Sequence, residues 1–318
     1  MYGTPARLKP LEVLPWVVAL GVYVLLPEYL PLGAYAMIVM LFVLSLDLIV
    51  GYGGIATLGH SAYFGLGAYT AGILAQRLHG DPGLGLAAAA VTAGVFGLVT
   101  GAVILRTHGL TLLMLTLAIT SIVLEVASSA SSLTGGSDGM HSVPVQPVLG
   151  TFEFDIFGKT AYLYCLVVLF AAWVFVRTLV HSPFGAALLG ARENDARMHA
   201  IGAPVYGIRL RAYAISCSLA GMAGALLTHT TQFAGLSTLG FELSGEGLVM
   251  LVLGGVGRIY GAFVGPGVYI VARDFLAKQT PEYWYMGVGV MLVLIVLFAR
   301  GGILGIVDKA RARWRRRA

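Results

Sequence analysis

Long, uninterrupted runs of apolar residues constrain the fold of this 318-residue chain more than any other feature. A helix that crosses a membrane needs about 20 consecutive apolar residues, whereas the strands of a membrane barrel alternate between apolar and polar positions. The runs here do not alternate. Hydrophobic residues make up 58% of the chain and charged residues 11%, well below the roughly 25% charged residues of a soluble domain. The sequence therefore predicts an all-α integral membrane protein, with residues 1–318 forming one transmembrane domain.

The apolar runs divide into about ten candidate transmembrane helices. Ten spans would place both termini on the same side of the membrane. Because the positive-inside rule puts basic loops in the cytoplasm, both termini are predicted to be cytoplasmic. Of the 20 Lys and Arg residues, all fall on that side except Arg77, Lys159, Arg273 and Lys278. The predicted spans lie near residues 12–26, 34–50, 60–76, 84–105, 109–128, 160–179, 207–228, 243–257, 260–277 and 283–299.

The segments between the spans have compositions that indicate their sides. Residues 129–159 are rich in Ser, Gly and Pro, which predicts an external loop with a short edge strand or surface helix. Residues 181–206 are predicted to be a cytoplasmic loop, and residues 300–318 a basic cytoplasmic tail. The formal net charge of +5 is a topology signal rather than a sign of nucleic-acid binding, because the positive residues sit in loops and the tail. The expected location is a bacterial-type cytoplasmic (inner) membrane.

Two segments 200 residues apart share several residues, which indicates an internal repeat. Both begin at the cytoplasmic end of an outward-running predicted span, so the repeat would be parallel. Chance similarity between glycine-rich membrane helices is the alternative. The matching residues are Ala62, Gly65, Gly67 and Tyr69 with Ala262, Gly265, Gly267 and Tyr269, and Tyr63 with Phe263.

The stretch SPFGAALLGARENDARMHAIG, residues 182–202, interrupts the apolar pattern with a charged island. Each charge at the centre of a spanning helix costs about 2.5–3.5 kcal/mol, so burying its two arginines and two acids in lipid would cost around 10 kcal/mol. The stretch must therefore lie outside the bilayer.

Local signals predict that the charged island forms a short cytoplasmic helix. Ser182 can cap it and Pro183 suits its first turn. Glu193 and Arg197 are spaced i, i+4, and Gly202 supplies a stop. From these residues alone, the helix is either a solvated connector or a helix that docks into a partner on the cytoplasmic side.

Few polar side chains fall at membrane depth, and such residues are functional candidates by default. Asp47 either bonds backbone groups freed by the nearby glycines or belongs to a solute pathway. His60 either caps a helix or belongs to the pathway. Glu125, near the outer end of the fifth predicted span, pairs with a docking partner, meets the ammonium group of an amino acid, or is a solvated helix end. Glu246, with Glu242, marks a helix start stabilised by the helix dipole or is a pathway residue.

Two glycine-rich pieces, GYGGIATLG and LGGVGRIYG, supply the remaining pathway or gating candidates: Gly53, Gly54, Gly254 and Gly255. Such pieces break helices and expose backbone groups to a solute, as in transporters with interrupted helices, or they serve close packing alone. The sequence has no metal-ligand cluster and no nucleophile–base spacing. No catalytic or metal site is predicted.

Four ordered blocks covering nearly the whole chain resemble the permease subunits of branched-chain amino acid ABC importers, the LivM type. SPFGAALLGARENDARMHAIGAPVYGIRLRAYAISCSLAGMAGAL resembles their cytoplasmic loop and following helix. SLDLIVGYGGIATLGHSAYFGLGAYTAGIL is similar to their second and third spans, RTHGLTLLMLTLAIT and SLTGGSDGM to their central span and outer loop, and EGLVMLVLGGVGRIYGAFVGPGVYIV to their penultimate region.

This resemblance implies a non-catalytic transport subunit that imports a small organic solute, foremost a branched-chain or other apolar amino acid. The implied partners are two ATPase subunits carrying ATP and Mg²⁺, a second and related permease, and an external solute-binding protein. The sequence contains no G-x-x-x-x-G-K-[ST] phosphate loop of its own. The resemblance also implies that the charged island is a coupling helix to which the ATPases bind. The residues implied in this contact are Arg192, Glu193, Asn194, Asp195, Arg197, Met198 and Gly202.

A secondary transporter driven by an ion gradient is the alternative function. It would account for ten spans and a parallel repeat, but it would make the charged island a mere linker. Dependence of transport on a cytoplasmic ATPase separates the two alternatives.

Overall fold

Helices provide nearly all the regular structure of the chain. The computed structural model describes residues 10–78, 80–148, 150, 152–155, 158–279, 286, 289 and 301–305. Within these ranges there is no β-strand, and extended backbone pairs only at two isolated bridges, Met140 with Ala234 and Val148 with Phe152. The prediction of an all-α protein is confirmed.

Most helices follow one another with short connections, the exception being the long segment between Thr134 and Lys159. Two short helices, Pro183–Glu193 and Asp195–Ala200, lie within the predicted cytoplasmic loop. Three short 3₁₀ turns, Pro27–Tyr29, Gly136–Asp138 and Leu236–Thr238, and a π-helical turn, Leu48–Tyr52, complete the described elements. The α-helices are α1 (Pro10–Leu25), α2 (Leu30–Asp47), α3 (His60–Arg77), α4 (Pro82–Ile104), α5 (Leu110–Ser129), α6 (Ser131–Thr134), α7 (Lys159–His181), α8 (Pro183–Glu193), α9 (Asp195–Ala200), α10 (Val205–Thr231), α11 (Phe241–Gly254) and α12 (Gly261–Gln279).

The first nine predicted spans each coincide with one helix. Among the described residues, five helical segments are long and apolar enough to cross a membrane by length and composition: 27–52, 82–104, 110–129, 159–181 and 205–231. The tenth predicted span, 283–299, and most of the basic tail, 300–318, lie outside the described residues. The total of ten spans therefore stays a prediction.

Helix α4 shows how the local sequence sets both a helix start and a packing face. Asp81 caps the helix, since its Oδ1 accepts a hydrogen bond of 2.8 Å from the backbone N–H of Gly83, and Pro82 occupies the first position. Small buried residues recur at every fourth position along one face, which brings them onto the same side of the helix. They are Gly85, Ala89, Ala93, Gly97 and Gly101, while Val91, Val95, Val99 and Val103 are exposed.

Helix α10 packs against α3 and α4 at the centre of the bundle. Small residues allow the backbones to approach closely there, as is common where membrane helices associate without a hydrophobic driving force. Gly67 of α3 lies so close to Gly221 of α10 that a Cβ at Gly67 would overlap the Gly221 backbone. Across the same region, the hydroxyls of Tyr63 and Tyr213 are 2.9 Å apart.

Helices α1 and α7 cover another side of α2. The Trp16 ring of α1 packs edge-on against Phe170 and Trp173 of α7, with centroid distances of 4.9 and 5.4 Å. The Tyr162 hydroxyl donates a 2.7 Å hydrogen bond to the carbonyl oxygen of Ala19. Because α10, α11 and α12 also pack against α2, the segment 27–52 is more buried than the other long apolar segments, with 72% of its most apolar window inside the protein.

The predicted external loop, 129–159, contains short helical pieces and no strand in its described part. Helix α6 provides the short helix that the sequence indicated, and Met140 pairs with Ala234 beyond the end of α10. This pairing ties the loop to the end of α10, with hydrogen bonds of 2.8 and 3.0 Å.

The two segments of the predicted repeat both open helices. Ala62 and Tyr69 lie in the first part of α3, and Ala262 and Tyr269 in the first part of α12. All four are buried. These positions fit the proposed correspondence, but nothing in the described fold tests the symmetry itself, so the repeat stays a prediction.

Candidate functional site

Asp47 ends α2 and joins the two glycine-rich pieces across 210 residues of sequence. Its side chain is 1% exposed. The backbone N–H of Gly257 donates a 2.7 Å hydrogen bond to Oδ1 of Asp47, while Oδ2 has no hydrogen-bond partner among the described residues. Asp47 therefore bonds backbone in a glycine-rich piece, but in the second piece and not at the nearby glycines that the sequence indicated. We call residues 51–54 and 254–257, together with Asp47, the glycine junction.

The first half of the glycine junction is a helix break. Helix α2 passes into the π-helical turn Leu48–Tyr52, whose end is closed by a 3.1 Å hydrogen bond from the Gly53 N–H to the Leu48 carbonyl. Gly54 then has φ +69°, a left-handed conformation that an L residue adopts at a cost. Helix α3 begins only at His60, so residues 55–59 cross from one helix to the next without helical structure.

The second half is the tight turn between α11 and α12. Gly255 has φ +117° and Gly257 has φ +76°. The two helices leave the turn so close together that a Cβ at Gly254 would overlap the Gly261 backbone. Glycine is favoured here by conformation and required by close packing. Whether the exposed backbone groups meet a solute stays a prediction.

Arg192 of α8 reaches into the glycine junction from the charged island. Its Nη1 donates a hydrogen bond to the carbonyl oxygen of Gly51. Its aliphatic stem covers Gly54, where an added Cβ would lie 2.7 Å from Cγ of Arg192. A Cβ at Gly257 would lie 3.1 Å from Arg192 Nη1, so the same guanidinium faces both halves of the glycine junction.

The charged island is two helices, not one. Ser182 caps α8 as predicted, accepting a 3.4 Å hydrogen bond from the Gly185 N–H, and Pro183 is its first residue. The chain becomes extended at Asn194, whose side-chain oxygen accepts a 2.9 Å hydrogen bond from the Arg197 N–H and so caps α9. The prediction of a single helix with Glu193 and Arg197 stacked one turn apart is therefore wrong, because an Asn side chain competes for backbone groups and starts a new helix.

The remaining predicted coupling residues divide between inward and outward positions. Asp195 forms an ion pair of 3.0 Å with Arg209 of α10. Nη2 of the same arginine donates a 2.9 Å hydrogen bond to the Ala191 carbonyl. Met198 folds back onto α8, where an added Cβ at Gly190 would lie 2.9 Å from its sulfur. Gly202 has φ +79° and follows α9, so the predicted stop is confirmed.

Glu193, Asn194 and Arg197 are exposed on this two-helix connector, α8–α9. The Asn194 side chain is already committed to capping α9. Glu193 and Arg197 thus remain as charged side chains directed outward from the connector.

His60 is fully buried at the start of α3. Its Nε2 lies 2.9 Å from the Ser45 Oγ of α2 and 3.5 Å from the Ser216 Oγ of α10. The interpretation of His60 as a helix cap is wrong, because its ring binds side chains of neighbouring helices and Gly59 occupies the cap position. The imidazole instead joins α2, α3 and α10.

Glu125 and Glu246 lie apart from the glycine junction. Glu125 is exposed near the end of α5 and accepts a 3.4 Å hydrogen bond from Ser129 of the same helix. Glu246 is half-buried in the second turn of α11, while Glu242 occupies the first turn as predicted. Glu246 precedes Gly254 by about 12 Å along the helix axis. No hydrogen bond or ion pair in the described structure joins either carboxylate to Asp47.

Sequence reasoning missed several residues of this region. Gly51 and Gly257 lie inside the glycine-rich pieces but were not singled out, and membership of those pieces was the signal available in the sequence. Ser45, Ser216 and Arg209 carried no local signal, because their partners are distant in sequence. The described residues contain no group of three or more His, Cys, Asp or Glu side chains that could hold a metal ion.

Known proteins resemble this chain over most of its length. Residues 30–296 match the family described as branched-chain amino acid transport system / permease component. The chain is 27% identical over 299 residues to the high-affinity branched-chain amino acid transport system permease protein LivM of Escherichia coli (strain K12), covering 86% of this chain and 69% of that protein.

Two archaeal relatives extend the similarity. Over 313 residues the chain is 25% identical to the probable branched-chain amino acid transport permease protein LivM of Methanocaldococcus jannaschii, with 82% of this chain and 88% of that protein covered. Over 276 residues it is 25% identical to the probable permease protein LivH of the same organism, with 83% and 86% covered. No solved structure matches the chain.

Proposed function

The chain belongs to the permease family of branched-chain amino acid transport systems, and on that premise we propose that it moves branched-chain or other apolar amino acids inward across the membrane. It is a membrane-spanning permease subunit of an ABC importer. Family membership gives the class of transporter, and the proposal adds the solute, the direction of transport and the partner proteins. We propose further that the subunit itself is not catalytic and takes its energy from ATP and Mg²⁺ bound by partner subunits.

The geometry of α8–α9 is the observation that best supports an ATP-driven mechanism over an ion-driven one. A linker would need only solvated charges. Here the connector is capped at both of its helix starts and braced against α10 by Arg209, while Glu193 and Arg197 stay exposed. A rigid, charged projection from an otherwise apolar bundle suits a site that a partner protein pushes against.

The proposed partners follow from the class of transporter. They are two ABC ATPase subunits at α8–α9, an external solute-binding protein at the 129–159 loop, and a second permease. The relatives include proteins named LivM and a protein named LivH, which supports pairing with a related but different permease. The proposed orientation has both termini, residues 181–206 and the tail 300–318 in the cytoplasm, in accord with the distribution of basic residues.

Native purification of the full chain tests this proposal. The tagged chain is extracted from its own membranes in mild detergent, and every co-purifying protein is identified by mass spectrometry. We expect nucleotide-binding ATPase subunits and a second permease in fixed ratio. Recovery of the chain without any nucleotide-binding subunit, at full yield and in a monodisperse peak, would favour an ion-driven transporter instead.

A further inference from the structure

Arg192 contacts both halves of the glycine junction although it belongs to the charged connector. Its guanidinium bonds the Gly51 carbonyl at the end of α2 and faces Gly257 in the turn between α11 and α12. Its stem covers Gly54. Arg192 is exposed, as Arg197 of α9 is, but its Nη1 donates to the Gly51 carbonyl inside the glycine junction. An arginine that served only to attract a partner would direct all its donors to solvent.

The parts that Arg192 touches are already joined to each other. Asp47 accepts the Gly257 N–H, so the end of α2 and the α11–α12 turn form one unit. On the other side of the connector, Arg209 of α10 bonds both the Ala191 carbonyl of α8 and the Asp195 carboxylate of α9. Helix α8 is thus held at consecutive residues, Ala191 by α10 and Arg192 by the glycine junction.

The glycine junction interrupts the helices of the bundle with backbone conformations that favour glycine. Gly54, Gly255 and Gly257 all have positive φ, and the helices on either side are interrupted there. Interrupted helices in transporters supply movable backbone at a solute path. A displacement of α8 would therefore reach a segment able to rearrange.

We propose that Arg192 is a positioning residue that fastens the connector α8–α9 to the glycine junction, so that a push on the connector moves the two glycine turns. This inference rests on the proposed function, because the push comes from the ATPase subunits. It reverses one expectation from the sequence: Arg192 transmits force inside the permease, and docking is left to Glu193 and Arg197.

The first test compares Arg192→Gln with Arg197→Gln in the complete complex, reconstituted into vesicles with its ATPase subunits and solute-binding protein. The two changes remove the same charge from neighbouring positions of the connector. We expect Arg192→Gln to keep the ATPases bound but to lower ATP-driven uptake of radiolabelled leucine by about tenfold, within the usual range of coupling effects. The ratio of ATP hydrolysed to leucine transported rises accordingly. We expect Arg197→Gln to lower ATPase co-purification instead.

Two results would overturn the inference. Arg192→Gln complexes that transport like the wild type would show that the contact transmits nothing. Loss of ATPase subunits from Arg192→Gln to the same extent as from Arg197→Gln would make Arg192 a docking residue. If the wild-type complex itself shows no ATP-driven uptake, the proposed function fails rather than this inference.

A disulfide between positions 54 and 192 would replace the Arg192 contact by a covalent bond. It tests the inference even if Arg192→Gln folds poorly. A Cβ at Gly54 would lie 3.3 Å from Cβ of Arg192, close to the Cβ separations of about 3.5–4.5 Å found in disulfides. The natural Cys165 and Cys217 are buried. We expect the double variant Gly54→Cys, Arg192→Cys to transport when oxidised and to lose uptake when reduced, while Arg192→Cys alone is impaired in both states. Failure to form the bond, or inhibition upon forming it, contradicts a rigid connection.

Discussion

Replacing Gly54 by Ala tests the contact between the glycine junction and Arg192 through its energetics. An L residue in the left-handed region costs about 1–2 kcal/mol, and Gly54 has φ +69°. The new Cβ would also lie 2.7 Å from Cγ of Arg192, so that side chain must move away and its bond to Gly51 is lost. A hydrogen bond to a charged group contributes about 1.5–3 kcal/mol, and the lower end applies because Arg192 is exposed. The expected destabilisation is about 3 kcal/mol in total.

Gly150 supplies the matched control. It has φ +73° and nothing within 4 Å of an added Cβ, so Gly150→Ala should cost only the backbone part, about 1–2 kcal/mol. In an Arg192→Gln background, the destabilisation caused by Gly54→Ala should fall to the same value. The difference, about 1.5 kcal/mol, is the coupling energy between the two touching residues. The assay is reversible unfolding of the purified permease in mixed micelles. Equal costs for Gly54→Ala with and without Arg192 would refute the reasoning.

Four further variants probe packing, docking and the solute path. Gly67→Ala forces a Cβ into the Gly221 backbone and should destabilise the bundle by about 1–3 kcal/mol. Gly245→Ala, in open space on α11, should be neutral or stabilise by up to about 1 kcal/mol, and thermal unfolding of both in detergent distinguishes them. Exchanging the connector charges, Glu193→Arg with Arg197→Glu, should release the ATPase subunits at unchanged net charge, and full retention on co-purification argues against docking there. Glu125→Ala should weaken leucine uptake without altering assembly, whereas unchanged uptake kinetics would make Glu125 a surface residue.

The spans could be predicted from sequence because apolar length is a local property. Ser182 and Pro183 fix a helix start, and the structure places that start as expected. Asp81 and Pro82 do the same for α4, two residues before the predicted span begins. The break at Asn194 was also local, yet it was missed. The i, i+4 spacing of Glu193 and Arg197 suggested a continuous helix, while the Asn side chain caps a second one.

The site was predictable only in its parts. Composition and spacing pointed to Asp47, to both glycine-rich pieces and to the charged island. Their meeting could not be predicted, since the Arg192 contact joins residues 141 positions apart and the Asp47 contact joins residues 210 apart. The cap role considered for His60 was wrong for the same reason: its partners lie on other helices, whereas a cap is a local feature.

Uptake into sealed vesicles tests the central claim, that ATP hydrolysed by partner subunits drives solute through this chain. Vesicles containing the purified complex, with ATP and Mg²⁺ on the ATPase side and binding protein loaded with radiolabelled leucine on the other, are compared with the same vesicles given a proton or sodium gradient and no nucleotide. The account predicts leucine accumulation with ATP that persists when ionophores collapse every ion gradient. Accumulation that requires the gradient and proceeds without nucleotide or ATPase subunits would contradict it.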